Sequence, residues 1–311
     1  MRFEQAQLTC NEVWGGNAAA DAALELPGLR GWVLSKPYQG AESGGDVYYV
    51  SSCGTGRITR LMLADVMGHG EEAAEMARYL RSLMFRYLNH IEPHTLASQV
   101  NELFNARSAD KGRFATAVIL TFFSPTGEMT LCNAGHPPPM IFSAEQRGWS
   151  RLERKDETRG PSDLPLGVDE SGQYIARELT LDSGDVVLLY TDGLIEAKDT
   201  SGRQLGVNGL LELLAEVEDP LSWGHPGDLM RGVTKLLDER GFELSEDDLS
   251  LAVLQFVQPA RGAGMLKKIA GTKSLIAGLL RGDGMPWPEM SWRNIGLHLF
   301  LPLKKTESRR G

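Results

Sequence analysis

The stretch DVYYVSSCGTGRITRLMLADVMGHG, residues 46–70, sets the frame for everything around it. Asp46 to Val50 and Arg57 to Val66 are short and rich in β-branched and aromatic residues, and the turn formers Cys53-Gly54-Thr55-Gly56 part them, so the segment reads as a β-hairpin. The second strand ends on Asp65, and the glycines at 68 and 70 then break the extended pattern. Beyond them, apolar residues recur at Ala73, Met76, Ala77, Leu80, Leu83, Met84 and Leu88, the period of a helix, with Glu71 and Glu72 at its electropositive start.

Outward from this unit the same logic predicts a second helix over Thr95 to Ala106 and strands over Phe114 to Phe123 and Glu128 to Asn133. A glycine/proline loop follows from Gly135 to Pro139. Further strands are expected at Tyr174 to Thr180, Asp185 to Tyr190 and Leu249 to Val257, and helices at Val207 to Val217 and Gly227 to Arg240. Strands that pair locally, interrupted by helices in pairs, predict an α+β fold.

Four aspartates stand against predicted strands. Asp65 follows RLMLA, Asp192 follows VVLLYT, Asp247 precedes LSLAVLQF, and Asp46 opens its strand behind Gly44-Gly45. Carboxylates gathered at one sheet edge repel one another unless a cation neutralises them, and Mg²⁺ or Mn²⁺ takes such oxygen ligands while keeping several waters. Any one Asp-Gly is most often only a turn, so spacing alone leaves a metal site and a set of unrelated turns both open. Zinc is disfavoured, because the six histidines are scattered and only His69 and His136 lie in glycine-flanked loops.

Composition narrows the class. The chain of 311 residues carries a net charge of -9. Residues 261–311 hold ten Lys and Arg against three Asp and Glu, which makes that tail +7 and the remainder -16. An acidic body argues against a nucleic-acid footprint. Neither a signal-like start nor eighteen consecutive apolar residues is found, so a cytoplasmic protein is expected. Cys10, Cys53 and Cys132 are odd in number and far apart, and are read as reduced and structural.

Seven motifs in order, SGGD (43–46), ADVMGHG (64–70), FATAV (114–118), NAGHPPP (133–139), LPLG (164–167), YTDGLIEA (190–197) and EDDLSLAV (246–253), resemble the bacterial SpoIIE/RsbU-like group of the metal-dependent type 2C protein phosphatases (PPM). The resemblance spans residues 40–257. It implies a sandwich of two antiparallel β-sheets flanked by pairs of α-helices, with the metal site at one edge between the sheets. It further implies hydrolysis of phosphoserine or phosphothreonine by metal-activated water, with two Mn²⁺ or Mg²⁺ ions, or three. Residue by residue, Asp65 matches the ligand shared by both metals, the Val66 carbonyl the backbone ligand, Asp46 the acidic ligand of the second metal, and Asp192 and Asp247 ligands of the first. Asp248 and Gly193 fall behind the ligands, Asn133 and His136 are read as ordering their loop, and His69 is a candidate to protonate the leaving oxygen.

The phosphate-binding residue is unknown from sequence, with Lys36 and Arg30 as weak candidates. Partners implied are a phosphorylated protein substrate, such as an antagonist of an anti-sigma factor, and a separate regulatory protein, since about forty residues before the first motif are few for a sensor domain. A degenerate phosphatase fold serving as a binding module and a metal-dependent nuclease or nucleotidyl cyclase are the competing readings. The expected organisation is a phosphatase domain over 1–259 and a basic extension over 260–311. In that extension Met265, Leu266, Ile269, Ile276, Leu279 and Leu280 lie among Lys267, Lys268 and Lys273, a pattern suited to packing on the body, on a partner or on an anionic membrane surface. Ile295 to Leu303 is a candidate strand.

Overall fold

The structure of the protein is a computed structural model that describes residues 4–7, 12–52, 57–87, 90, 92–152, 163–244 and 247–257. The Cys53–Gly56 turn, Leu88, Cys10, Cys53 and everything expected of residues 260–311 lie outside the described residues.

In chain order the described elements begin with β1 (Glu4–Gln7), β2 (Glu12–Gly16), β3 (Ala20–Leu26), β4 (Leu29–Lys36), β5 (Asp46–Ser52) and β6 (Ile58–Val66). Helices α1 (Glu71–Arg86) and α2 (Pro93–Ser108) come next, then β7 (Ala115–Phe123), β8 (Glu128–Ala134), β9 (Met140–Ser143) and β10 (Gly148–Arg151). The second half holds β11 (Ala176–Thr180), β12 (Val186–Tyr190), α3 (Asp192–Ile195), β13 (Lys198–Asp199), α4 (Gly206–Glu216), α5 (Asp228–Glu239), β14 (Phe242–Glu243) and β15 (Leu249–Phe256).

Two large sheets result. One has the order β1-β3-β4-β15-β12-β9-β10, the other β11-β8-β7-β6-β5-β2. All their pairings are antiparallel except that of β1 with β3. Side chains alternate across a strand, so each sheet must bury both faces or leave one wet. Here both are buried. Tyr48, Val50, Leu61, Leu63, Val118 and Leu120 of the six-stranded sheet meet Val33, Val187, Leu189, Ala252 and Leu254 of the other in a shared interior. On the outer faces, Val47, Met62 and Ala64 pack under Met76, Leu80, Val100 and Phe104 of α1 and α2. Leu188, Tyr190, Leu251 and Val253 pack in the same way under Leu210, Leu213, Val233 and Leu237 of α4 and α5. The expected α+β sandwich flanked by helix pairs is what the chain forms.

Alternation also decides where the acidic residues go. Asp46 keeps step with Tyr48 and Val50, and Asp65 with Leu61 and Leu63, so both belong to the rows that face the opposite sheet. The two large sheets share a surprise for the sequence reading, which assigned nothing before Asp46. Residues 12–36 provide β2 at the edge of one sheet and the β3-β4 hairpin of the other, turned through Pro27-Gly28 with Gly28 at φ 80.

Candidate functional site

Asp46, the first residue of β5, and Asp65, the last but one of β6, are direct partners across the antiparallel ladder. Their side chains therefore stand side by side at the end of the inter-sheet gap. Asp46 is only 3% exposed. Its Oδ2 accepts a 2.9 Å hydrogen bond from Thr191 Oγ1, while its Oδ1 is buried with no hydrogen-bond partner among the described residues.

The opposite sheet delivers the other acids. Asp192 opens α3 directly after β12 and Thr191, and Asp247-Asp248 immediately precede β15. Gly193 lets these two strand ends meet, since a Cβ there would lie 2.3 Å from the Asp248 carbonyl oxygen. Asp248 is 4% exposed and spends both oxygens on backbone: Oδ1 accepts from the Tyr38 amide at 2.7 Å and Oδ2 from the Gly45 amide at 2.6 Å. It thus fastens β15 to the Gly44-Gly45 loop in front of Asp46. The Val66 amide donates to the Gly45 carbonyl at 3.2 Å, and the Val66 carbonyl oxygen would lie 2.8 Å from a Cβ on Gly45. Asp247 is exposed and accepts from the Asp248 amide at 2.8 Å.

Crowding of like charge shows in the titration of these groups. Burial, then Asp192, Asp247, Asp248 and Glu196, push the Asp65 carboxyl up to about 7. Burial, Asp247 and Glu196 push Asp192 up to about 6. Asp46 is raised well above the usual carboxylate range by burial and by Asp65. Glu196 is the residue that sequence reading passed over inside YTDGLIEA. The signal was there, because Glu196 follows Asp192 by four residues and its amide bonds the Asp192 carbonyl at 2.9 Å, the geometry of one helical turn. Beside Asp247 and Glu196 opens a cleft of about 480 Å³, lined also by Lys198, Thr200, Glu243 and Leu244. Among the described residues, no three acid, imidazole or thiol side chains form a ready-made coordination sphere.

The histidines occupy different settings. His69 is exposed in the loop between β6 and α1, its ring 5.7 Å from that of Tyr38. His136 is 5% exposed, its Nδ1 is 2.9 Å from Thr116 Oγ1, and Thr116 is the ladder partner of Asp65. Burial drives His136 down to about 3, so it is neutral at physiological pH. Asn133 closes this loop on itself, donating to the His136 carbonyl at 2.9 Å and accepting from the His136 amide at 2.8 Å.

Of the two cations considered for phosphate, Lys36 ends β4 opposite Leu249, next to Asp248. Arg30 pairs with Gln255 at the far end of the same strand and is removed from the site. Arg113, which the sequence did not mark, donates to the Met67 carbonyl at 3.2 Å and ion-pairs with Glu72, bracing the loop between Val66 and α1.

Solved structures share this architecture. The RsbU and RsbW domains of a Mycobacterium tuberculosis protein superpose with a TM-score of 0.63 at 24% identity, over 82% of this chain and 71% of that one. The PP2C phosphatase domain of Bacillus subtilis SpoIIE does so with 0.59 at 14%, over 81% and 64%. The SiaA PP2C domain of Pseudomonas aeruginosa gives 0.60 at 17%, over 73% and 85%. The fold is that of a PP2C-type phosphatase domain. A sequence model of stage II sporulation protein E (SpoIIE) matches residues 55–257, and the chain belongs to that family, within the SpoIIE/RsbU-like group of PPM phosphatases. Among curated relatives, the phosphoserine phosphatase RsbU of Bacillus subtilis is 25% identical over 145 residues, 46% of this chain and 40% of RsbU. Protein IcfG of Synechocystis is 23% identical over 219 residues, 61% of this chain and 33% of IcfG. The chain thus spans well under half the length of either. Among the described residues no helix is long and apolar enough to cross a membrane.

Proposed function

We propose that the chain is a metal-dependent protein serine/threonine phosphatase that hydrolyses a phosphoserine or phosphothreonine ester on a regulatory protein. The observation that carries this reading is the meeting of Asp46 and Asp65 with Asp192 and Asp247 at one edge of the sandwich, where burial first and the neighbouring carboxylates second hold Asp65 at about 7. The resident ions would be Mn²⁺ or Mg²⁺, held by Asp46, Asp65, Asp192, Asp247 and the Val66 carbonyl.

The residues fit such an ion. All are oxygen donors, the buried Oδ1 of Asp46 lacks a partner, and the carboxylates repel one another as a set awaiting positive charge would. Because no three of them close a sphere by themselves, water and backbone oxygen would complete it, which suits an ion that gives up its hydration reluctantly. When bound, paired divalent ions ionise water near neutral pH and neutralise charge on a phosphoryl group.

The chain's own residues have distinct tasks in this scheme. Asp65 and Asp46, fixed side by side by the β5-β6 ladder, set the spacing of the acidic edge, and Asp248 locks the Gly44-Gly45 loop against it. His69, exposed beside Tyr38 in the loop that follows Asp65 and Val66, is the group we assign to protonate the departing serine oxygen, because an imidazole on that loop can carry a proton to a leaving group. His136 stays neutral and buried, and so cannot take that part at physiological pH. Lys36, exposed at the end of β4, is the candidate we assign to meet an anionic substrate.

Similarity to the phosphoserine phosphatase RsbU supports a phosphoserine substrate; we assign as that substrate a phosphoprotein of the anti-sigma-antagonist kind, with a separate regulatory protein as controller. We place the protein in the cytoplasm, with a phosphatase domain over 1–259 and residues 260–311 as an extension that engages the body, a partner or a membrane surface.

The direct test is hydrolysis of a phosphoserine peptide by the full chain after metal removal and separate return of Mn²⁺, Mg²⁺ and Ca²⁺. Turnover that returns with Mn²⁺ or Mg²⁺ and drops roughly 100-fold or more in Asp65→Asn is expected. Metal uptake without turnover would instead make the chain a binding module of phosphatase fold.

A further inference from the structure

At the base of the acidic edge, a buried chain of hydroxyls joins the two sheets. Thr191, fully buried between β12 and α3, donates its amide to the Ser250 carbonyl at 2.9 Å and accepts the Ser250 amide on Oγ1 at 2.9 Å. Ser250 Oγ in turn donates to Ser35 Oγ at 2.9 Å, its ladder partner on β4. These residues all belong to or adjoin the seven-stranded sheet, whereas Asp46 belongs to the other.

A hydroxyl has one proton to give. With Oγ1 already accepting from Ser250, that proton has two takers, Asp46 Oδ2 at 2.9 Å and the Ser250 carbonyl at 3.3 Å, and the shorter contact to the carboxylate is the stronger acceptor. Binding Oδ2 stops the carboxylate from turning about its own axis. Oδ1 is left buried with no hydrogen bond among the described residues, and the Ser250 hydroxyl, beside the same carboxyl, joins Thr191 in favouring its charged form.

We propose that Thr191 is a positioning residue: held from the opposite sheet by Ser250, it clamps one oxygen of Asp46 so that the other is presented to the cation. This rests on the metal-phosphatase reading above and goes beyond it, since Thr191 touches neither ion nor substrate and acts only through Asp46. It makes the spacing of the two sheets a determinant of cation affinity. Sequence alone could not show it, because the partners lie 145 and 59 residues away along the chain.

The test uses the full chain, stripped of metal and titrated calorimetrically with Mn²⁺, comparing wild type with Thr191→Val, which keeps the shape without the hydroxyl, and Thr191→Ser, which keeps the hydroxyl without the methyl. Circular dichroism and the unfolding midpoint of the metal-free proteins report folding separately. We expect Thr191→Val to fold and bind Mn²⁺ roughly 10- to 100-fold more weakly, as for other groups that orient a ligand, with Thr191→Ser within about threefold of wild type. If Thr191→Val does not fold, Thr191→Ala takes its place with the same expectation. Equal affinity in wild type and the hydroxyl-free variant overturns the inference, and so does a Thr191→Ser protein as weak as Thr191→Val. A wild type that takes up no Mn²⁺ overturns the metal site together with this inference, whereas loss confined to the hydroxyl-free variant supports the inference, and turnover of the phosphoserine peptide reports separately on the phosphatase reading.

Discussion

Asp65 is half-buried and faces Asp192, Asp247, Asp248 and Glu196, and its proton is released only near 7. An acid whose folded-state value lies above its unfolded value, about 3.9 for aspartate, stabilises the fold while protonated and loses that contribution as pH rises through the folded value. With Asp65 at about 7 and Asp192 at about 6, the metal-free protein should lose stability between about pH 4 and pH 7 and level off above. Thermal unfolding across that range, in the presence of a chelator, checks the sign; a midpoint that climbs toward neutrality would contradict it. The same repulsion predicts that Asp65→Asn raises the midpoint of the metal-free protein, by roughly 2–4 °C for each kcal/mol of relieved strain, while removing the upward shift that Mn²⁺ produces in wild type. At this scale the aspartates were legible because each stands at a strand end. Glu196 was legible too, though passed over, from its four-residue spacing behind Asp192, whereas Thr191 was not, since its importance comes from tertiary neighbours that no local pattern encodes.

Among the elements, the junction of β12, α3 and β15 is closely packed. A methyl at Gly193 would meet the Asp248 carbonyl oxygen at 2.3 Å, and backbone cannot swing aside as a side chain can. Gly193→Ala should therefore cost about 1–3 kcal/mol and pull Asp192 away from Asp247. Gly148 in β10 meets only the Gln146 carbonyl at 3.9 Å, so Gly148→Ala should stay within about 0.5 kcal/mol of wild type. Chemical denaturation of the pair measures both, and equal costs would contradict the packing argument. At the other flank, Asn17 donates to the Gly44 carbonyl at 3.0 Å and the Ala74 carbonyl at 3.2 Å, and accepts the Gly44 amide on its own carbonyl at 2.7 Å, joining the loop before Asp46 to α1. Helix α1 and the β5-β6 pair were readable because their periods are clean. Strands β2 to β4 were missed because Gly15, Gly16, Ala22, Ala23 and Gly31 are poor strand formers that hold their places only through packing. Gly31 shows the reason, since a Cβ there would crowd Leu24 at 3.1 Å and Leu254 at 3.3 Å.

Across the whole molecule, the sandwich keeps its two sheets apart with the shared core of Leu61, Leu63, Val187 and Leu254, and lets acids from both reach the same edge. Neither sheet holds the set alone: Asp46 and Asp65 come from the six-stranded sheet, Asp192 and Asp247 from the segments flanking strands of the other. Cation binding should then tie the sheets together, and at a free concentration 100 times the dissociation constant it should add about 2.7 kcal/mol to stability. The sequence could point to strand ends, but which ends coincide in space is set by sheet order, and that order depends on the N-terminal strands it did not reveal. The measurement that tests the central claim most directly is calorimetric titration of the metal-free full chain with Mn²⁺ at neutral pH, beside Asp65→Asn and Asp192→Asn. Uptake of two ions by wild type, with binding lost or sharply weakened by either substitution although they lie on opposite sheets, is the predicted result. Wild type that binds no Mn²⁺, or substitutions on either sheet that leave binding unchanged, would contradict the account.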